Sequence, residues 1–322
     1  MIITRKNLIF GALIMVVLLS IFLTPKLYTS VQRKLYGVKK GVSLEDEPMQ
    51  GLLRDELYDV ISDLATNYNV EAQNAKCNWN TGDIEVEVIG QVIDVEETIE
   101  LLINAEAGSS LKPILVPVLP SITSAHFQPF YRGPTSEPKV ALMINVDWGN
   151  EFIPQMLEVL KQYNASVTWF PTGRWAGLFP DLVKEIDVAG HELGNHGGWH
   201  GMPSKMSRSE VTRLIVEGEN LILEACGQKP QIFAPPAGDF NKQTVLVAAE
   251  LGYKTVLWTI DTVDWQKPAP TVIIDRVIGK INNGALVLMH PTKPTLEALP
   301  VILEHLQNLG FICVTVSELL SD

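Results

Sequence analysis

Cysteine and positive charge are both scarce in this sequence. Its 322 residues include only Cys77, Cys226 and Cys313, and none of them has the CxxC or zinc-ribbon spacing of a metal site. An odd number of widely separated cysteines does not make a disulfide framework either, so we interpret them as isolated apolar residues. A bond from Cys77 to a second chain stays open.

Positive charge is outnumbered, with 25 Lys and Arg residues against 37 Asp and Glu residues and a formal net charge of -12. Binding to a phosphate backbone depends on clustered Lys and Arg side chains, so this composition argues against nucleic acid as a partner. The chain is 46% hydrophobic and 19% charged. That composition and length suit one large folded domain, alone or with a small one.

One long apolar run is present near the start of the chain. Residues 8–24, LIFGALIMVVLLSIFLT, carry no charge, are long enough to span a bilayer, and are not followed by a small-residue cleavage site. We expect residues 1–30 to be a membrane anchor or an uncleaved signal. More basic residues follow the run than precede it, which counts against export of the remainder. They are Lys26, Arg33, Lys34, Lys39 and Lys40.

Two segments with different sequence patterns follow this apolar run. Residues 45–124 combine helical spacing, as at Leu57 and Ile61, with the strand alternation of Ile84, Val86 and Val88, and so predict a small α+β module. Residues 125–138 contain three prolines and few periodic apolar positions. We predict that they are a linker, or a strap over the next domain.

Apolar strands alternate regularly with helices over residues 139–322. The seven strand candidates are VALMINVD, SVTWFPTG, GHELGNH, QIFAPPAG, TVLWTID, ALVLMHP and ICVTVS. Ser207 and Glu210 fit a capping box at the start of one intervening helix. This alternation predicts an α/β fold with a parallel sheet, open or closed into a barrel, and with function at the carboxyl ends of the strands.

Polar side chains occur where that rule places a functional site. Two imidazoles in HGGWH have a spacing that suits two ligands of one divalent metal; surface or capping histidines are the alternative. In DTVDW, a carboxylate bonded to a histidine would fix its tautomer for acid catalysis, or both aspartates simply cap the turn. A lone histidine ending LMHP is by itself typical of a hydrogen-bonded core residue. These residues are Asp147, His196, His200, Asp261, Asp264 and His290.

In their order and spacing, these residues resemble the NodB-homology polysaccharide deacetylases, the fourth carbohydrate esterase family, over about residues 139–320. The resemblance implies that residues 139–322 form a distorted seven-stranded (β/α) barrel. It implies that Asp147 is the catalytic base and that His196 and His200 are metal ligands. It also implies that His290, oriented by Asp264, is the catalytic acid.

Three further residues match family positions that contact substrate. They are Asp261, Trp265 and Leu288, and the resemblance places the leucine beside the acetyl methyl group.

Two of the family's motifs are altered in this sequence. Trp148 stands where the family has a metal-binding aspartate, and Ala234 stands where it has an arginine that pairs with the base. Ala237 occupies the place of a groove-lining aromatic residue. Because tryptophan cannot bind a cation, Asp147 or Glu151 is the candidate for the missing ligand, although Glu151 also suits the first turn of a helix.

The resemblance implies N-deacetylation of a cell-wall polysaccharide, either peptidoglycan or a polymer of N-acetylglucosamine, by metal-assisted amide hydrolysis with an altered metal site. Zinc is the divalent metal we expect. The alternative is an inactive or weak glycan-binding or scaffold protein at the cell envelope, with Trp148, Trp199 and Trp265 stacked on sugar rings. Buried positions in the barrel are the alternative for these three tryptophans, and they are the explanation we favour for Trp169 and Trp258. A metal-independent hydrolase is a third reading.

The resemblance also bears on location. Family members that have an N-terminal anchor and a small preceding module act on peptidoglycan in Gram-positive bacteria, and some are linked to spore formation. We therefore expect a membrane-anchored protein with an extracytoplasmic catalytic domain, whose partners are the membrane and the cell-wall glycan.

Overall fold

The computed structural model describes residues 27–321. Its strands are β1 (Ser43–Leu44), β2 (Glu47–Pro48), β3 (Lys76–Cys77), β4 (Ile84–Glu85), β5 (Gly90–Ile93), β6 (Ser110–Leu111), β7 (Leu115–Val118), β8 (Lys139–Val146), β9 (Thr168–Pro171), β10 (Glu192–Leu193), β11 (Ile232–Phe233), β12 (Lys254–Thr255), β13 (Ile260–Asp261), β14 (Leu286–Met289) and β15 (Ile312–Cys313).

Residues 27–36 form helix α1. The later helices are α2 (Arg54–Tyr68), α3 (Val95–Asn104), α4 (Ile153–Gln162), α5 (Gly173–Leu178), α6 (Pro180–Val188), α7 (Arg208–Cys226), α8 (Lys242–Glu250), α9 (Pro270–Ile278), α10 (Lys293–Asn308) and α11 (Val316–Leu319). Short 3-10 helices lie at Ser124–Phe127, Asn150–Phe152, Pro203–Lys205, Pro236–Gly238 and Asp264–Gln266.

The apolar run at residues 8–24 lies outside the described residues. Within residues 27–321, no helix combines the length and the apolar composition that crossing a bilayer requires. The N-terminal anchor therefore stays a prediction from the sequence.

The chain divides into two compact units. Among the described residues, the first unit contains residues 27–73 and 88–120. Its core lies between α2 and α3, where Leu57, Ile61, Ile99 and Leu102 are fully buried. The helix predicted from the spacing of Leu57 and Ile61 is confirmed as α2. An antiparallel β5–β7 pair and a three-stranded β2-β1-β6 sheet complete this unit.

The second unit contains residues 74–87 and 121–321, which differs from the predicted boundary after residue 124. Residues 74–87 include the antiparallel β3–β4 hairpin. Trp79 of this hairpin donates its indole N–H to Glu250, and the guanidinium of Arg208 lies 3.8 Å from its ring centroid. The prediction of one half-buried strand through Val86 was wrong, because β4 ends at Glu85 and Val86 is 70% exposed.

Parallel strands build the barrel of the second unit. They lie in the order β10-β9-β8-β14-β13, and β15 pairs with the first two residues of β8. Strands β11 and β12 form a further parallel pair, joined to the segment after β10 by a bridge between Asn195 and Phe233. The predicted strand TVLWTID is two separate strands, β12 and β13, because Leu257 between them donates its N–H to the carbonyl of Phe130.

Residues 130–133 close the gap between these two strand sets. Phe130 pairs parallel with Val256, and Arg132 pairs antiparallel with Ala285. These contacts match the strap alternative for the proline-rich segment.

The central strand β8 is buried on both faces, as expected for a parallel strand covered by helices. Leu142 and Ile144 belong to the outer core with the surrounding helices, whereas Ala141 and Met143 belong to the core inside the barrel. Since side chains alternate along a strand, Asn145 lies on the inner face and points toward the carboxyl end of the barrel.

Candidate active site

A cavity of about 640 Å³ opens at the carboxyl ends of the barrel strands. This is the end at which parallel α/β folds carry their functional groups. The cavity brings together all but one of the predicted site residues, and the exception, Asp264, lies fully buried behind His290. The predicted residues that line it are Asp147, His196, His200, Asp261, Trp265, Leu288 and His290.

The predicted Asp264–His290 pair is present. The carboxylate of Asp264 accepts hydrogen bonds from Nδ1 of His290 at 2.8 Å, from the backbone N–H of His290 at 2.6 Å and from the hydroxyl of Thr295 at 2.6 Å. A carboxylate held in this way fixes the proton of the imidazole on Nδ1, so Nε2 is left for a ligand in the cavity.

Asp147 has a partner that the sequence did not reveal. Nη2 of Arg174 lies 3.0 Å from Oδ2 of Asp147, and the hydroxyl of Thr172 donates to Oδ1 at 2.7 Å. Thr172 is also the N-cap of α5, whose first turn carries Arg174. Although Ala234 stands in place of the family's arginine, Asp147 has a cationic partner, because Arg174 of α5 supplies one.

Trp148 packs on His290, the predicted catalytic acid, and provides no ligand for a metal. Its ring stacks on the imidazole of His290, with ring centroids 5.9 Å apart and an interplanar angle of 7°. The side chain is nevertheless 41% exposed at the edge of the cavity. One indole face therefore packs on His290, and the tryptophan also presents surface to the solvent.

The two predicted metal-binding histidines lie beside each other, with ring centroids 5.5 Å apart. His196 is buried, and Nδ1 of its ring is 2.7 Å from the carbonyl of Ala234. Burial, which disfavours the charged ring, lowers the pKa of His196 to about 3. The imidazole of His196 is therefore neutral at physiological pH, as a metal ligand must be. In contrast to the buried His196, His200 is exposed to solvent.

A third ligand is missing from this pair. Within residues 27–321, no three His, Cys, Asp or Glu side chains are grouped so that they could hold a metal ion. Asp147 is engaged by Thr172 and Arg174, and Glu151 is exposed in the 3-10 helix Asn150–Phe152. Because a catalytic zinc site keeps three protein ligands, these residues do not fit the metal that the resemblance implies.

The tryptophans are distributed differently from the prediction. Trp258 lines the cavity, whereas the sequence suggested a buried barrel residue. Trp199 does not line it, and the guanidinium of Arg213 lies 5.3 Å from its ring centroid instead. Trp169 is fully buried, as predicted, and Trp265 is 52% exposed at the cavity edge.

Of the two alternatives that the sequence left open, Asp264 bonds the histidine and Asp261 caps the turn. The carboxylate of Asp261 lines the cavity, and its Oδ1 accepts a hydrogen bond from the backbone N–H of Val263 at 2.7 Å.

Val263 and Lys267 have positive φ angles of 54° and 55° on either side of the 3-10 helix Asp264–Gln266. Such backbone conformations are costly for residues other than glycine and cluster at functional sites.

Comparisons with known proteins point to one family. The polysaccharide deacetylase family matches residues 132–256. An uncharacterised protein of Bacillus subtilis, YlxY, is 36% identical over 271 residues, which is 84% of this chain and 85% of the relative. A peptidoglycan-N-acetylglucosamine deacetylase of Bacillus cereus is 35% identical over 193 residues, which is 58% of this chain and 90% of the relative.

Solved structures of a protein described as a family-four pseudoenzyme are also similar. The wild-type protein, BA3943 from Bacillus anthracis, is 34% identical with a TM-score of 0.59, and the match covers 82% of this chain and 94% of that one. A mutant described as having restored enzymatic activity is 32% identical with the same TM-score of 0.59, and covers 82% and 97% of the two chains.

Members of this family hydrolyse carbon–nitrogen bonds other than peptide bonds and generally use a divalent metal. With its α/β barrel, its strand-end residues and these relatives, the chain belongs to the polysaccharide deacetylase family, carbohydrate esterase family four, whose members include both peptidoglycan deacetylases and a pseudoenzyme.

Proposed function

We propose that this protein binds a cell-wall glycan in the barrel cavity and does not deacetylate it. The observation that carries the proposal is Trp148, which replaces a metal ligand and stacks on His290 at 5.9 Å. Metal-assisted hydrolysis requires a cation that polarises the acetyl carbonyl and activates a water molecule. Two histidines without a third ligand do not supply that cation site.

The lining of the cavity supports binding. Trp148, Trp258 and Trp265 line one cavity together with the carboxylates of Asp147 and Asp261. Aromatic faces provide apolar area with little loss of conformational entropy, and their polarised surfaces suit the C–H faces of sugar rings. The carboxylates accept hydrogen bonds from sugar hydroxyls. A peptidoglycan glycan strand is the ligand that the named activity of the Bacillus cereus relative suggests.

Deacetylation with an altered metal site is the second candidate. It is favoured by the intact bonds between Asp264 and His290 and by the Arg174–Asp147 ion pair, which keep the acid and the base of the family in place. In this case a further donor, such as a substrate oxygen, would have to complete the cation site formed by His196 and His200.

Titration calorimetry with oligomers of N-acetylglucosamine, combined with an assay for released acetate, separates these candidates. The proposal predicts saturable binding, loss of about tenfold in affinity for Trp265→Ala through the lost stacking surface, and no acetate with or without added zinc. Tyr131, which is exposed outside the cavity, provides the matched aromatic control, Tyr131→Ala. Acetate release that disappears in His196→Ala would support the second candidate and refute the proposal.

We also propose an extracytoplasmic location, with residues 1–30 as the membrane anchor. The support is the uncharged apolar run at residues 8–24 and the cell-wall substrates named for the relatives. Protease added to intact cells should degrade the protein from outside. Protection in intact cells and digestion only after lysis would contradict this orientation.

A further inference from the structure

Helix α1 exposes an apolar surface to solvent. Leu27, Val31 and Leu35 follow one another at intervals of four residues, so they share one face of the helix, and Tyr28 lies beside them. These four side chains are between 47% and 67% exposed. Exposed apolar residues usually occur singly, whereas a contiguous apolar surface is typical of a site that contacts another protein or a membrane.

A basic cavity of about 680 Å³ lies on the neighbouring face of the same helix. Ser30 and Lys34 line it, and each directly precedes a residue of the apolar surface. Four basic side chains line the cavity, and among the described residues that line it none is acidic. This local excess of positive charge contrasts with the net charge of -12 of the whole chain. The basic residues are Arg33, Lys34, Lys39 and Lys40.

The arginine and the lysines of this cavity differ in their partners. Nη1 of Arg33 donates to the carbonyl of Gly51 at 2.8 Å, and Nη2 lies 2.5 Å from Oε1 of Glu56. Arg33 therefore fixes α1 against the rest of the first unit. The ammonium groups of the three lysines form no hydrogen bond or ion pair within residues 27–321, and all three side chains are exposed. Their charges are available to an anion outside the protein.

We propose that α1 lies in the interface of a bilayer that contains anionic lipids, with its apolar surface at the acyl-chain boundary and a lipid phosphate group in the basic cavity. An amphipathic helix binds at this depth through its apolar face, and Lys and Arg near the surface are attracted by anionic headgroups. Tyrosine, as at position 28, is enriched at the same depth.

The position of α1 in the chain favours a membrane over a soluble polyanion as the occupant. Leu27 lies three positions after the apolar run at residues 8–24. The inference therefore rests on the proposed membrane anchor, which would hold α1 next to the bilayer. It does not depend on glycan binding in the barrel cavity.

Hydrogen exchange of the full chain in lipid vesicles tests the inference. One set of vesicles contains phosphatidylcholine alone, and the other contains phosphatidylcholine mixed with phosphatidylglycerol. We expect the amides of residues 27–40 to exchange about tenfold more slowly in the anionic vesicles, and we expect high salt to remove this difference. The amides of α2, which packs in the core of the first unit, should exchange equally in both and so report on folding.

Variants separate the basic cavity from the apolar surface. Replacing the three cavity lysines together, in Lys34→Gln, Lys39→Gln and Lys40→Gln, should abolish the difference between the two lipids. Leu35→Gln keeps a high helix propensity but removes apolar area, so it should reduce the protection in the anionic vesicles. The charge-matched control replaces three exposed lysines outside the cavity and should keep the difference; it combines Lys112→Gln, Lys161→Gln and Lys184→Gln.

The outcomes distinguish this inference from the proposed anchor. A chain that is recovered with both kinds of vesicle but shows equal protection in them, or none, would overturn the inference and leave the anchor standing. A difference that persists in the triple lysine variant would overturn it as well. A chain recovered with neither kind of vesicle would refute both proposals. Equal protection by soluble poly(glycerol phosphate) would assign the cavity to a cell-wall polyanion and contradict the membrane as its occupant.

Discussion

Two neighbouring residues, Asp147 and Trp148, occupy the first family motif, and only Trp148 departs from it. Asp147 keeps a charged partner, Arg174, which is 62% exposed in its side chain. Trp148, unlike the family's aspartate, cannot coordinate a metal ion, and it packs on His290. The predicted base and acid, Asp147 and His290, are both held by hydrogen bonds, whereas a third metal ligand is absent among the described residues.

The first prediction is that Trp148→Asp alone restores metal binding. The new carboxylate would join His196 and His200 as the third ligand, and Arg174 already supplies the cation beside Asp147. We expect about one equivalent of zinc per chain by metal analysis and measurable acetate release, with little further gain from Ala234→Arg. Trp199→Asp, the same change outside the cavity, is the control. Zinc binding by the control, or none by Trp148→Asp, would contradict the prediction.

The second prediction concerns Asp264 and the free energy of unfolding. Asp264→Asn replaces an acceptor of three hydrogen bonds in a fully buried position and places an N–H donor against Thr295 or His290. The expected loss is about 2–4 kcal/mol in urea unfolding. Asp261→Asn is the control and should cost less than about 1 kcal/mol, since Asp261 is only half-buried and accepts one bond from Val263. Equal effects of the two changes would contradict this reading.

Family motifs in the sequence were sufficient to predict one of these contacts and insufficient to predict another. The pairing of Asp264 with His290 followed from the family motifs at two strand ends. The ion pair of Arg174 did not, because Arg174 lies 27 positions from Asp147, in the first turn of α5, and an exposed arginine carries no pattern of its own.

At the scale of elements, the cap of α7 shows a strong local signal. Ser207 accepts from the backbone N–H of Glu210, and the Glu210 side chain accepts from the backbone N–H of Ser207, so the predicted capping box is confirmed. This helix packs against α5 and α8 and lies next to the loop that carries His200. Its start is fixed by side-chain chemistry within four residues.

The third prediction is that Ser207→Ala lowers the free energy of unfolding by about 1 kcal/mol, because it leaves an N-terminal N–H of α7 without its acceptor. Thr212→Ala is the matched control within the same helix. The Thr212 hydroxyl only donates back to the carbonyl of Arg208, so its loss should change stability by less than about 0.5 kcal/mol. A loss in the control as large as in Ser207→Ala would show that the cap is not the cause.

Strand lengths were the least predictable feature at this scale. The barrel strands other than β8, β9 and β14 have two residues each, and the predicted strand TVLWTID is split where Phe130 takes over the pairing. The apolar residues between strands are buried as well, as Val256 and Leu257 show, so apolar runs extend beyond the hydrogen-bonded residues. Pairing partners from distant parts of the chain, which no local pattern reveals, decide where each strand ends.

For the whole molecule, the proline-rich segment before residue 139 is part of the barrel unit. Phe127 is 8% exposed and belongs to a core cluster with Leu246 and Ala249 of α8, and Phe130 pairs with Val256. The sequence placed the catalytic domain at residues 139–322. Low periodicity concealed these contacts, because two aromatic side chains and a bridge leave no repeating pattern.

The fourth prediction follows from these contacts. A fragment of residues 139–322 should be less stable than a fragment of residues 121–322 by at least about 3 kcal/mol, the usual cost of removing one buried phenylalanine. Chemical unfolding followed by tryptophan fluorescence measures the difference. In the full chain, which keeps residues 74–87 beside Phe127, Phe127→Ala should lower the free energy of unfolding by a similar amount and Gln128→Ala should lower it little. Equal stability of the two fragments would show that the segment is only a linker.

The central claim is that the cavity holds an N-acetylated glycan and leaves its amide bond intact. Proton NMR of tetra-N-acetylglucosamine mixed with the zinc-supplemented full chain observes both events through the acetyl methyl group. We predict that saturation transfers from the protein to the methyl signal of the intact sugar while no free acetate signal appears. A growing acetate signal that chelator abolishes would contradict the claim, and so would an absence of saturation transfer.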